Sequence, residues 1–109
     1  MTTAVRARIT LPAEIRVGEA FEVRSLLQHP METGFRVDFE GRAVPRQIVG
    51  SVEARFRGER VWSARLHPAI AANPYLAFWL RVDGPGELLL EWRGDAGFSH
   101  RQSVHIQPR

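Results

Sequence analysis

Apolar and polar residues alternate with a period of two along most of this chain, and that alternation restricts its fold more than any other feature. Near the start, Val5, Ala7 and Ile9 fall on one side of an extended segment, whereas Arg6 and Arg8 fall on the other. Successive side chains of a β-strand point to opposite sides, so the alternation is typical of strands with one buried face. The sequence therefore predicts an all-β protein.

Turn-forming residues divide the alternating segments at intervals of about eight to twelve residues. The predicted strands span residues 5–11, 21–28, 35–39, 48–56, 60–66, 76–82, 87–93 and 98–106. Between two of them, Arg57-Gly58-Glu59 is typical of a hairpin loop, since glycine readily adopts a positive φ. Seven or eight antiparallel strands at this spacing predict an immunoglobulin-like β-sandwich. A chain of 109 residues has room for one core, so residues 1–109 are expected to form a single domain.

The composition excludes several classes of protein. No apolar run approaches the ~20 residues of a membrane helix, and the first residues lack the continuous apolar segment of a signal peptide. All 15 basic residues are arginine, but they are dispersed and the net charge is only +3, so neither a nucleic-acid nor a membrane partner is expected. The chain has no cysteine, hence any covalent sulfur chemistry must belong to a partner.

Two loops stand out because each begins with His-Pro directly after an apolar strand. The first is residues 29–36, His-Pro-Met-Glu-Thr-Gly-Phe-Arg, and the second lies within residues 66–78. Proline lacks an amide donor and holds the preceding histidine extended, which fixes how the chain turns. In the second loop, residues 68–72 are predicted to form one helical turn, because Pro68 suits a first helical position and Asn73-Pro74 disfavours continuation.

These two loops and Pro45-Arg46 resemble the SoxZ family, the cysteine-free subunit of the SoxYZ sulfur-carrier complex in bacterial thiosulfate oxidation. The resemblance implies a non-enzymatic scaffold that pairs with a SoxY-like subunit, whose cysteine arm carries the sulfur intermediate, and that meets other Sox enzymes transiently. It also implies a periplasmic location, reached by export with the signal-bearing partner. Two alternatives remain open: a SoxYZ-like carrier in a pathway associated with a quinoprotein dehydrogenase, and an unrelated immunoglobulin-like binding module.

The resemblance marks a set of residues as candidates for partner binding or arm presentation. They are His29, Pro30, Met31, Glu32, Thr33, Gly34, Arg36, Pro45, Arg46, His67, Pro68, Asn73, Pro74 and Tyr75. Trp79 joins these candidates on a different ground, its outward position on strand 76–82. Of these, Arg36 and Arg46 could grip an oxidised sulfur group through paired hydrogen bonds, although bonding to loop carbonyls or carboxylates of the partner, with a role only in assembly, is the favoured interpretation.

Metal and catalytic chemistry are not expected. His100 and His105 are five residues apart in a predicted strand and so project from opposite faces. His29 and His67 could share an ion only if their loops converged and Glu32 joined them, and such a histidine more often bonds to backbone. No serine lies in a Gly-x-Ser-x-Gly motif. The sequence therefore predicts no catalytic residue, no cofactor and no metal.

The three tryptophans fall into two groups, according to which side of its strand each one lies on. Trp62 and Trp92 share their faces with core residues, whereas Trp79 lies on the reverse of the apolar face of strand 76–82. Leu26 and Leu89 are outward in the same way. If these positions share one sheet, they form an exposed apolar patch, which predicts a subunit interface and a homodimer when the chain is isolated.

Overall fold

The computed structural model describes residues 6–29, 31–32, 34–67 and 73–109. Seven strands follow one another: β1 (Ala7–Thr10), β2 (Phe21–Leu27), β3 (Val49–Phe56), β4 (Glu59–Arg65), β5 (Tyr75–Leu80), β6 (Gly86–Gly94) and β7 (Ser99–Ile106). One short 3-10 turn, η1 (Asp95–Gly97), joins β6 to β7. Among the described residues no helix is long or apolar enough to cross a bilayer.

The strands form two antiparallel sheets. A three-stranded sheet has the order β1-β2-β5, and a four-stranded sheet has the order β4-β3-β6-β7. The predicted all-β sandwich is confirmed, and the predicted bounds of these seven strands shift by at most a few residues. The predicted start of the first strand, at Val5, and the predicted helical turn at residues 68–72 lie outside the described residues.

The core lies between the sheets and is built by the period of two. In β2, Phe21, Val23 and Leu27 are buried while the residues between them are not. Leu88, Leu90 and Trp92 of β6 are completely buried opposite them. At the edges, Trp62 of β4 stacks on Phe78 of β5 with ring centroids 4.4 Å apart. Trp62 and Trp92 are thus core residues, as their parity predicted.

The predicted strand over residues 35–39 is absent. This region, together with the residues up to Gln47, forms an irregular hairpin with two isolated bridges, Glu32–Gln47 and Val37–Ala43. It joins neither sheet. The alternation of Phe35, Val37 and Phe39 with polar residues is typical of a strand, but all three side chains face solvent rather than a core. We call residues 34–47 the arm.

Candidate functional site: a loop cluster and a sheet face

The two His-Pro loops meet at one end of the three-stranded sheet. Just beyond β2, the His29 amide donates to Oδ1 of Asn73 at 2.9 Å, and the Asn73 amide donates to the His29 carbonyl at 2.7 Å. Asn73 adopts a φ of 57°, a left-handed conformation that asparagine tolerates better than most residues. This reciprocal pair fastens the end of the second loop to the start of the first. Of the segments that carry the family resemblance, the described ends at His29 and Asn73 are therefore brought together.

The His29 side chain is a buried structural element of this cluster. Its Nδ1 accepts a hydrogen bond from the Met31 amide at 3.0 Å, and its ring meets Phe98 edge-on with centroids 4.8 Å apart. Burial lowers the pKa of His29, although the negative charge of Asp95 partly opposes this. The neutral ring thus carries its proton on Nε2 and uses Nδ1 as the acceptor.

Met31 connects this loop to the four-stranded sheet. Its backbone adopts a φ of 52° and its side chain is only 5% exposed. The Val49 amide, at the start of β3, donates to the Met31 sulfur at 3.3 Å. A left-handed methionine is unusual, and here the two hydrogen bonds, to His29 and from Val49, hold it in place.

The arm leaves this cluster as a hairpin that closes on itself. The Gln47 amide donates to the Glu32 carbonyl, and the Val44 amide donates to the Arg36 carbonyl, both at 2.8 Å. At Gly34 the limbs approach so closely that a β-carbon would lie 3.2 Å from Cβ of Arg46, and the φ there is +92°. Both conditions favour glycine.

Carboxylates of the same chain bind both candidate arginines. Arg36 donates from Nε and Nη2 to the two oxygens of Glu32, at 3.0 and 2.7 Å. Arg46 donates from Nε to Oδ2 of Asp95 at 2.8 Å, and that oxygen also accepts the Ile48 amide. Hydrogen bonding lowers the pKa of Glu32 and of Asp95 below their usual values. Each arginine is therefore fixed in orientation at the base of the arm by a carboxylate of its own chain.

The outer side of the three-stranded sheet is the second candidate surface, here called the sheet face. Its exposed apolar side chains lie along the edge strand β5 and at the end of β2: Trp79 is 68% exposed, Tyr75 58% and Leu26 37%. Leu26 pairs with Tyr75 across β2 and β5, and Ala77 lies between Tyr75 and Trp79 on the same side. Beside Trp79 an open depression of about 480 Å³ extends toward Leu11 and Pro12.

Charged residues lie beside the apolar side chains of the sheet face, because the central strand β2 places Glu22 opposite Trp79 and Arg24 opposite Ala77. Arg8 lies opposite Leu26 in the β1–β2 register, and Arg6, Arg8 and Leu26 line one shallow depression. Arg24 donates from Nε to Glu22 at 2.6 Å, and that bond raises the Arg24 pKa. With Arg24 balanced by Glu22, Arg6 and Arg8 leave the sheet face positive. This pattern fits a partner with an apolar patch and an acidic rim.

The outer side of the four-stranded sheet is different in kind. At its centre Glu91 accepts hydrogen bonds from Arg93 at 3.0 Å and Arg101 at 2.5 Å, which lower the Glu91 pKa. Leu89, which the sequence grouped with Leu26 and Trp79, belongs to this sheet and is half-buried. Grouping Leu89 with the apolar patch was therefore wrong, because outward parity does not reveal which sheet a strand joins.

The family model described as sulphur oxidation protein SoxZ matches residues 9–105 of this chain. The chain belongs to the SoxZ family. It is thus a subunit of a Sox sulfur-oxidation system, in which it takes part in a Sox complex. Among curated proteins there is no significant match.

Solved structures similar to this SoxZ-family chain share its fold at low identity. The superoxide reductase (neelaredoxin) of Ignicoccus hospitalis is 17% identical with a TM-score of 0.73, covering 94% of this chain and 80% of that one. A variant of that protein gives 17% identity and a TM-score of 0.72, with 94% and 79% covered. A structure from Thermotoga maritima gives 11% and 0.71, with 94% and 85% covered.

The structure brings some candidate residues of this SoxZ-family chain together and separates others. Those of the first loop gather at the base of the arm with Asn73 and Pro74, whose carbonyl accepts the Leu27 amide at 3.1 Å. His67 is exposed beyond the end of β4, and Trp79 lies on the sheet face. Pro30, Thr33 and Pro68 lie outside the described residues.

No group of three or more His, Asp and Glu side chains within the described ranges is arranged to hold a metal ion. His100 and His105 do lie on opposite faces of β7, as predicted, with His100 turned inward and His105 exposed. Sequence reasoning missed Asp95, which anchors Arg46 and the Ile48 amide. Its only signal was its place in the Gly94-Asp95-Ala96-Gly97 turn, which indicates a turn and no distant partner.

Proposed function

We propose that this SoxZ-family chain is the non-enzymatic subunit of a sulfur-carrier complex that serves thiosulfate oxidation. It pairs through the sheet face with a SoxY-like subunit whose cysteine carries the sulfur. The single observation that carries the pairing is Trp79, an indole 68% exposed on the outer side of the edge strand β5, in line with Ala77 and the exposed Tyr75. Large aromatic side chains are enriched at the buried centres of protein interfaces.

The loop cluster supports a scaffold role rather than a catalytic one. His29 bonds to the Met31 amide, Glu32 binds Arg36, and Arg46 binds Asp95. These polar groups are engaged with one another, whereas a reacting substrate needs groups that are free to act on it. The cluster therefore fixes the shape of the loops, and we propose that the chemistry resides on the partner.

The test is to replace Trp79 by glutamate and measure pairing. Wild-type and Trp79→Glu chains are each co-expressed with the SoxY-like subunit, and the purified complexes are weighed by native mass spectrometry. A charge in a desolvated interface is strongly unfavourable, so we expect Trp79→Glu to lose the heterodimer while circular dichroism stays that of the folded chain. Val61→Glu is the matched control, because Val61 is exposed on the edge strand β4.

Normal pairing by a folded Trp79→Glu chain would show that the sheet face is not the interface. Trp79→Glu should also disperse any homodimer that the isolated wild-type chain forms, since an unpaired chain would bury the same apolar patch.

For the cellular location, we propose the periplasm, which the chain reaches together with the partner. Fractionation of cells with and without the partner gene tests this: the chain should leave the cytoplasm only when the partner is present.

A further inference from the structure

We propose that the SoxY-like subunit donates an extended strand to the open edge of β5 and so completes the smaller sheet of this chain. Strand donation rests on the proposed function, since the donor is the subunit that covers Trp79. It adds a main-chain contact, which an exposed tryptophan on the sheet face does not by itself require. Main-chain hydrogen bonds supply much of the affinity where one protein adds a strand to the sheet of another.

The strand β5 ends the three-stranded sheet, and β2 is its only neighbour there. Just beyond the Leu26–Tyr75 register pair, the Leu27 amide donates to the Pro74 carbonyl at 3.1 Å. Along an antiparallel ladder, residues that bond to the neighbouring strand alternate with residues that do not. Counting from Pro74, the even-numbered residues of β5 bond to β2, whereas the odd-numbered ones direct their amides and carbonyls to the open edge. The odd-numbered residues are Tyr75, Ala77 and Trp79.

These three residues offer three donors and three acceptors along the open edge. Within the described ranges, no main-chain hydrogen bond outside the β2–β5 ladder reaches them. All three residues are exposed, so nothing in the described chain covers the edge. The edge therefore presents the alternating pattern of groups that an added antiparallel strand binds.

The other edge strands are protected, whereas β5 is not. On one side of the sandwich β1 contacts β7. On the other side β4 carries the charges of Arg60 and Arg65, and its pairing with β3 slips by one residue between Ala54 and Arg55. Charges and such irregularities keep an edge from binding a further strand. The sequence of β5, Tyr-Leu-Ala-Phe-Trp-Leu, has no charge and no proline, and its register with β2 is unbroken, so this edge invites aggregation unless a partner covers it.

The larger sheet provides room for the added strand. Four strands face three, and β1 contacts β7 on one side, so on the other side β4 extends beyond β5 with no strand opposite it. The inward side chains of β4 are affected, because Trp62 and Ala64 are only half-buried, whereas Val52 and Ala54 of β3 are buried. An extended segment about 4.8 Å from β5 would lie over β4 and cover these two side chains.

The overhang of β4 favours a segment of another protein over a second copy of this chain. A second copy would place its β5 against this β5, and its own β4 would then overlap this β4. Strands of one layer keep about 4.8 Å apart, so the two overhanging strands could not both fit. A partner that offers a single extended segment meets no such obstacle.

The edge and the sheet face share residues, which identifies the donor with the subunit proposed above. Tyr75, Ala77 and Trp79 direct their main-chain groups to the edge and their side chains to the outer side of the sheet. A subunit that covers Trp79 therefore lies beside the edge as well. Every second residue of its donated segment must be apolar, because the inner side of that segment faces Trp62 and Ala64.

The experiment measures amide hydrogen exchange by NMR, residue by residue, in the free chain and in the purified heterodimer with the SoxY-like subunit. In the free chain the amides of Tyr75, Ala77 and Trp79 should exchange fast, whereas those of Leu76 and Phe78, which bond to β2, should exchange slowly. In the heterodimer we expect the three edge amides to slow by roughly 100-fold or more, because their exchange then requires local opening of the added strand.

A proline at the edge tests the main-chain contact separately from the side chains. Ala77→Pro removes the central edge amide, and proline is tolerated in an edge strand where the amide faces away from the sheet. Ala77→Ser is the matched control, because it keeps the amide and a small side chain. We expect Ala77→Pro to pair roughly tenfold or more weakly than wild type and Ala77→Ser to pair within about threefold of it. The exchange pattern of the wild-type chain decides the question even if Ala77→Pro does not fold.

Failure of strand donation and failure of the proposed pairing give different results. Fast exchange of the three edge amides in the heterodimer, with pairing still lost in Trp79→Glu, would overturn strand donation and leave the sheet face as the interface. Normal pairing by a folded Trp79→Glu chain would instead contradict the sheet face. Slow exchange of the same amides in the isolated chain, together with a dimeric mass, would make a second copy the occupant and overturn the assignment to the partner.

Discussion

Replacement of Asn73 tests whether the two His-Pro loops are coupled as the structure indicates. Asn73→Ala removes the side-chain oxygen that accepts the His29 amide at 2.9 Å, and it places alanine at a φ of 57°. An unsatisfied buried amide costs about 1–3 kcal/mol and a left-handed non-glycine residue about 1–2 kcal/mol, so unfolding should become easier by about 2–5 kcal/mol. For a domain of ordinary stability, about 5–15 kcal/mol, that is a large fraction.

The assay is urea unfolding of the isolated chain, followed by tryptophan fluorescence. Asn73→Asp is the matched control, since aspartate keeps an acceptor oxygen in the same position and also tolerates a positive φ. We expect Asn73→Asp to retain most of the stability that Asn73→Ala loses. Equal loss in the two variants, or less than about 0.5 kcal/mol in Asn73→Ala, would refute the reasoning that this acceptor joins the loops.

Three further predictions concern the same end of the molecule. Gly94→Ala should lower the free energy of unfolding by about 1–3 kcal/mol, because a β-carbon there would press on the Ile48 carbonyl and lie 3.0 Å from Cα of Val49. Gly50→Ala is the control, since only the Arg93 carbonyl lies near it, at 4.0 Å, and equal urea midpoints for the two variants would contradict the clash. The folded chain holds the pKa of His29 below 6.5, so the unfolded chain binds more protons below that pH, and the free energy of unfolding should fall on acidification from about pH 6.5. This part of the pH dependence should disappear in His29→Asn, which keeps an acceptor near the Met31 amide, and an unchanged acid slope in that variant would assign the pH dependence to another group. Complexes that carry Arg36→Gln or Arg46→Gln should assemble and turn over with the other Sox components as wild type does, since both arginines are bound by carboxylates of their own chain. Intact assembly with impaired turnover would instead reveal a cargo role.

The sandwich could be predicted because each strand carries its own local signal. Phe21, Val23 and Leu27 of β2 alternate with outward residues, and they are buried as that alternation requires. The same logic separated Trp92, completely buried, from Trp79, which is exposed. A period of two reports which residues share a side, and in a regular sheet that suffices to find the core.

The arm shows a case in which a period of two does not identify a strand. Phe35, Val37 and Phe39 alternate as a strand does, but alternation says nothing about whether a neighbouring strand exists to pair with. Leu89 failed for a related reason, since the sheet to which a strand belongs depends on contacts distant in sequence. The link from Asp95 to Arg46 spans 49 residues and the link from Asn73 to His29 spans 44, so no local pattern contains either.

The burial of Met31 has a chemical consequence for a protein that works in sulfur oxidation. Thioethers and thiols are the side chains that oxidants and sulfur-transfer reagents modify most readily. The chain has no cysteine, and the Met31 sulfur is enclosed, with one lone pair occupied by the Val49 amide. A reactive sulfur group held on a neighbouring subunit would therefore meet no thiol here that could take it by exchange, and the thioether at the base of the arm is shielded from oxidation to the sulfoxide.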